Sequence, residues 1–187
     1  MEPVTVTLEF TPNPNTLKFV VNRKFLDKGA ANFPQASTAS GSPFAEKLFQ
    51  IQGIAGVMIG TNFVTITKAP EGDWDVIADQ VPKTVESYVL GGSPFFTEEW
   101  LNKPAPQSSG ENSEIELKIK EILDNEIRPA VAMDGGDIVF GRFEDGIVYL
   151  HLQGACSSCP SSIATLKMGV ETRLREAIPE VKEVVQV

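Results

Sequence analysis

The stretch Gly154-Ala155-Cys156-Ser157-Ser158-Cys159-Pro160-Ser161-Ser162 contains both cysteines of this 187-residue chain. They stand three residues apart, just ahead of a segment that reads as a helix opening at Pro160, since proline suits the first helical position. Two thiolates are half of what a tetrahedral zinc site or an iron–sulfur cluster requires. With no third cysteine and a single histidine, a metal centre on this pair would need its remaining ligands from a second copy of the chain.

Outward from that pair, the C-terminal part reads as α-β-β-α-β. Ser113 and Glu116 have capping-box spacing. Ile115, Ile119, Ile122, Leu123 and Ile127 form the stripe of a first helix, which Pro129 is expected to stop. Ile138–Phe143 and Ile147–Leu152 read as a hairpin turning at Asp145-Gly146. Ile163, Leu166, Val170, Leu174 and Ile178 stripe the second helix, Pro179 ends it, and Val181–Val187 reads as a last strand. Two helices are expected on one face of a small mixed sheet.

The run 103–112, KPAPQSSGEN, has little to bury and reads as a flexible linker. The expected organisation is therefore a first domain over 1–100, a linker over 101–112 and a second domain over 113–187, both small and of the α+β class. In the first, Val4, Val6, Leu8 and Phe10 share one strand face, and Leu17, Phe19 and Val21 alternate in a returning strand. Residues 27–41, rich in small residues, read as a mobile loop. Ser42 and Pro43 open a helix carrying Phe44 and Leu48. Two strands, 57–59 and 63–67, flank a Gly-Thr-Asn turn. Asp73 caps a helix striped by Trp74, Ile77, Val81, Val85, Tyr88 and Val89, which Pro82 is expected to kink or restart.

Net charge is −9 and the pI about 4.7, which argues against nucleic acid or an anionic membrane surface as partner. No apolar run approaches the roughly 18–20 residues of a membrane span. The first residues, MEPVTVTLEF, show no signal-peptide pattern, so the expected compartment is the cytoplasm of a bacterium, or the mitochondrial matrix after removal of a transit peptide. A close cysteine pair in a non-secreted chain points to metal or redox chemistry rather than a disulfide framework.

Cys159 falls at or near the helix N-cap, where unpaired N–H groups and the positive dipole end favour thiolate. The sequence thus predicts two thiolate-prone residues close to the surface. Three readings of the pair stand: a thiolate centre shared between two chains, a dithiol–disulfide pair of thioredoxin type, or two small residues that only fill space. The element order differs from the thioredoxin fold, which weighs against the second. Met133-Asp-Gly-Gly-Asp137 reads first as a turn, with lining of the metal site as the alternative. His151 alternates with Ile147 and Tyr149 and reads as sheet-face decoration rather than a ligand. Trp74 reads as a core anchor and Trp100 as a contact at the domain edge. No nucleophile–base arrangement and no dinucleotide or Walker glycine pattern is present.

MDGGDIVF, LQGACSSCPSSIATLKMGVE and IPEV, across Glu114 to Val187, resemble the C-terminal domain of the NifU-like Nfu iron–sulfur scaffold and carrier proteins. TPNPNTLKF, SPFAEKLFQIQGIAGVMIG and NFVTITK are similar to the Nfu N-terminal domain. The resemblance implies that Cys156 and Cys159 are cluster ligands. It implies a 4Fe–4S cluster held between two subunits of a homodimer, two cysteines from each. It further implies an upstream cluster donor and delivery to apo client proteins, lipoyl synthase and aconitase being clients known for the family. On this reading the chain is a non-enzymatic assembly factor. Its first domain, without cysteine, recognises partners or tunes cluster stability. A thiol–disulfide oxidoreductase and a zinc-clasped structural dimer are the alternatives on the same two residues. One departure is Ser158, where many relatives carry glycine.

Overall fold

A computed structural model of the chain describes residues 2–103 and 113–187, the side chains of 113 and 160–162 excepted. It divides into two compact units, Met1–Lys103 and Pro104–Val187. Residues 104–112 of the expected linker and the Ser113 side of the expected capping box lie outside the described residues.

The first unit contains a five-stranded antiparallel sheet in the order β1 (Val6–Phe10), β2 (Thr16–Val21), β5 (Phe63–Lys68), β4 (Ile54–Ile59), β3 (Ala31–Phe33). Alternation places Leu17, Phe19, Val21, Val57, Ile59, Val64 and Ile66 in the core, because side chains two apart share a face. Helices α1 (Pro43–Phe49) and α2 (Trp74–Leu90) contribute Phe44, Leu48, Ile77, Val81 and Val85 to the same core. Ser42 caps α1, its Oγ accepting from Ala45 N at 3.1 Å and donating to Phe95 O at 2.6 Å. Asp73 caps α2 in the same way through Asp75 N.

Two expectations fail here and a third holds only in part. The segment 27–41 is not merely a loop: it supplies strand β3, which pairs with β4, and a 3₁₀ segment at Ala36–Gly41, with Ala31, Phe33 and Ala39 buried. Its small residues pack closely instead of freeing the backbone. Phe10 shares a face with Val6 and Leu8, pairing with Leu17 as they pair with Val21 and Phe19, yet at the strand end it is 85% exposed. Pro82 does not restart α2, which runs as one helix from Trp74 to Leu90 around its buried stripe. Trp100, on the short helix α3 (Glu98–Leu101), stacks on Phe96 at 4.3 Å and covers Gly41, where a Cβ would meet its side chain.

The second unit follows the expected order. A helical stretch comprises α4 (Ser113–Ile122), a π-helical turn (Leu123–Ile127) and α5 (Arg128–Met133). β6 (Gly136–Glu144) and β7 (Ile147–Gly154) pair antiparallel, and α6 (Pro160–Ala177) crosses over to β8 (Glu183–Gln186), parallel to β7. Asp145 (φ 53°) and Gly146 (φ 87°) both take left-handed angles, as a two-residue hairpin turn with the twist of the strands demands. Ile119, Leu123, Val131, Ile138, Val148, Leu150, Val170, Leu174 and Ile178 form the core.

Pro129 does not stop the first helix. A proline inside a helix lacks the N–H for one backbone bond and clashes with the preceding turn. The chain answers with the wider π turn immediately before it, and the helix resumes at Arg128. Such single π turns are frequent at functional sites.

Leu174 is fully buried where α6 meets the sheet. Leu174→Ala should reduce the protection of β7, α6 and β8 amides by about 2–5 kcal/mol, read by hydrogen exchange on the full chain. A loss below about 1 kcal/mol would contradict its place in the core.

Candidate metal centre

Both cysteines sit where β7 hands over to α6. Gly154 (φ 63°) turns the chain out of the strand, and its carbonyl accepts from Ser157 N at 3.2 Å and Ser157 Oγ at 2.8 Å. Cys159 is the N-cap of α6, and its carbonyl accepts the first helical bond from Ile163 N at 3.1 Å. The three-residue spacing therefore closes a tight loop, with Ser157 and Ser158 exposed at its tip.

The turn Met133–Asp137 forms the other wall. Gly135 (φ 77°) ends α5 in the left-handed conformation that glycine allows, its N–H bonding Ala132 O at 3.1 Å. Its own carbonyl accepts from Ala155 N at 3.1 Å, which ties the turn to the cysteine loop. Gly136 lies directly against Cys156: a Cβ there would fall 3.0 Å from the Cys156 Cβ and closer still to Sγ. Asp134 and Cys156 both line a groove of about 700 Å³, with Ile127, Val131 and Val170 among its apolar walls. The motif is a turn, as read from its glycines and aspartates, and its Asp134 shares a groove with Cys156.

The expectation of exposed, thiolate-prone cysteines is corrected. Cys156 is 5% exposed and Cys159 3%. The pair forms no disulfide. Burial pushes the Cys156 thiol up to about 11, with the negative charge of Asp134 next in effect and smaller contributions from Cys159 and Asp137. The helix dipole does not reverse this at Cys156, which lies in the turn three residues before the N-cap, and the field of a helix end falls off within a turn.

His151 lies on the exposed face of β7, its Nδ1 donating to Val187 O at 3.1 Å, as strand alternation predicted. Among the described residues no group of three or more His, Cys, Asp or Glu gathers as a metal ion requires. One copy thus offers two soft sulfur donors in one loop, the chemistry that suits zinc or iron–sulfur clusters.

The sequence reading passed over Arg128. Its Nε and Nη2 donate to Asp137 Oδ1 and Oδ2 at 2.8 and 2.7 Å, and Nη1 donates to Asp124 Oδ1 at 2.9 Å. The Asp137 side chain is 5% exposed. Asp137 hydrogen bonding, opposed in part by burial, leaves the guanidinium well above its ordinary pKa. The signal was present in the i,i+4 spacing of Asp124 and Arg128.

Two family models match the chain: "Scaffold protein Nfu/NifU N terminal" over residues 6–92 and "NifU-like domain" over 119–185. A human protein named NFU1 iron-sulfur cluster scaffold homolog, mitochondrial, is 45% identical over 178 residues, covering 95% of this chain and 69% of its own length. The chain belongs to the Nfu/NifU scaffold family. A protein of the same name from Drosophila ananassae is 44% identical over 178 residues; this Nfu-family chain spans 62% of its length, less than two thirds. A solved NifU-like protein from Saccharomyces cerevisiae is 22% identical, covering 52% of this chain and 87% of that one, at a TM-score of 0.44.

In the apo chain at pH 8, iodoacetamide should modify Cys156 about a hundredfold more slowly than an unstructured cysteine, because little of it is thiolate. Gly136→Ala should abolish most of that protection by displacing the thiol. Mass spectrometry of timed digests reads both. Equal rates in the wild-type chain and in urea would contradict the buried placement.

Proposed function

We propose that this chain is an iron–sulfur scaffold that binds a 4Fe–4S cluster through Cys156 and Cys159 of two copies and passes it to apo client proteins. One observation carries the reading: a single loop presents two thiols, and no third donor gathers with them among the described residues. Four thiolates complete a cubane cluster, so two copies supply the full set. The human and fly relatives bear the name iron-sulfur cluster scaffold, which supports the same role. The cluster is cargo, and the chain's part is to hold and release it rather than to catalyse covalent turnover.

The buried thiols set the order of events. Thiolate is the ligating form, so iron must displace the proton from each sulfur as it binds. With Cys156 held up at about 11, this costs more than at an exposed cysteine. The loop must also turn its sulfurs outward, and Ser157 and Ser158 are the exposed residues through which it is approached. Both demands weaken the hold on the cluster relative to a pre-formed four-cysteine site. Acceptor thiolates can then replace Cys156 and Cys159 one at a time, each exchange conserving the number of iron–sulfur bonds.

The relatives are named mitochondrial, which supports the matrix as the compartment. No helix among the described residues is long and apolar enough to cross a membrane.

Anaerobic reconstitution with ferrous iron and sulfide should give a brown protein with broad absorption near ~400 nm, as thiolate-bound clusters do. Cys156→Ser and Cys159→Ser should each abolish it while circular dichroism stays unchanged. A colourless product with tightly bound zinc would support a structural clasp instead. A readily reduced Cys156–Cys159 disulfide with no uptake of iron would support an oxidoreductase.

A further inference from the structure

We propose that Arg128, acting through Asp137, is a positioning residue that sets how long the cluster is retained. The inference rests on the scaffold reading and names a residue outside the ligand set. The path from guanidinium to thiol is continuous. Both Asp137 oxygens are taken by the Arg128 fork at 2.7 and 2.8 Å. Asp137 opens β6 together with Gly136, pairing with Gln153 while Gly136 pairs with Gly154. Cys156 packs on Gly136, and Gly135 O holds Ala155 N. The start of β6 is therefore fixed on one side by Arg128 and bears on the cysteine loop on the other.

Arg128 is itself held at the junction of the π turn and α5, with Asp124 as second partner at 2.9 Å. The bidentate geometry matters, because a planar fork fixes the plane of a carboxylate while a lysine ammonium offers only a point charge. Charge matters as well. A cluster ligated by four thiolates is anionic, and Asp134 and Asp137 already place negative charge at Cys156. Arg128 neutralises the nearly buried Asp137; without it an unpaired carboxylate would face the loaded site. Outer partners of this kind change metal affinity by about ten- to a hundredfold when removed.

The test uses the full chain, reconstituted anaerobically, with the rate of iron loss to a ferrous chelator as readout beside the melting temperature. Arg128→Gln should lose the cluster about ten- to a hundredfold faster than the wild type, and Arg128→Lys should fall between them. The double variant Arg128→Gln/Asp137→Asn removes the unpaired charge but not the lost fork, so its melting temperature should recover while cluster loss stays several-fold faster than in the wild type. If Arg128→Gln fails to fold, Arg128→Lys and the double variant decide the matter by the same two readouts. Cluster lifetimes within twofold of the wild type, or lifetimes that follow melting temperature across the set, would overturn the positioning role alone. A wild-type chain that takes up no cluster would overturn the scaffold reading and this inference with it.

Discussion

Gly136 has no Cβ, and the side chain of Cys156 occupies the space where one would stand. This close approach decides how the C-terminal unit presents its thiols. It draws the cysteine loop onto the start of β6, lets Gly135 O take the N–H of Ala155, and buries Cys156 among core residues. The raised thiol pKa, the exposure of the two intervening serines and the bearing of Asp137 on the loop all follow from that one contact. If these sulfurs ligate a cluster, as proposed, such a packing would favour its release, because the folded apo state would compete with the loaded state for them.

The rest of the unit keeps that contact in place. The hairpin turn at Asp145-Gly146 sets the β6–β7 register at its own end, and a one-residue shift between Phe140 and Arg142 then brings Gly136 opposite Gly154. α6 is anchored along its C-terminal half by Val170, Leu174 and Ile178, so its N-cap, Cys159, starts from a defined point. The π turn and Arg128 then hold the strand start from the opposite side. Nothing in this arrangement needs a third donor in the same chain.

Much of the architecture was legible in the sequence. Apolar periodicity located both helices and all three strands of the second unit, and the Asp-Gly pair located its turn. Strand alternation put His151 on the exposed face. What failed did so where a local rule met a tertiary contact. Pro129 signals a stop, but a π turn absorbs it. Residues 27–41 look loop-like because they are small, yet smallness lets them pack under α1 and beside β4. The N-cap position of Cys159 was legible, while the burial of Cys156 was not, because it depends on a glycine twenty residues upstream. The Arg128–Asp137 pair was hidden for a similar reason: a nine-residue separation has no helical or strand period, and only the fold brings the two together.

The central claim is that this pair of thiols is completed by a second copy. Native mass spectrometry of the anaerobically reconstituted full chain tests it most directly. The account predicts a species of two chains carrying four iron and four sulfide, lost when either cysteine is replaced. A cluster carried by a single chain, or a dimer that forms equally well without iron, would contradict it.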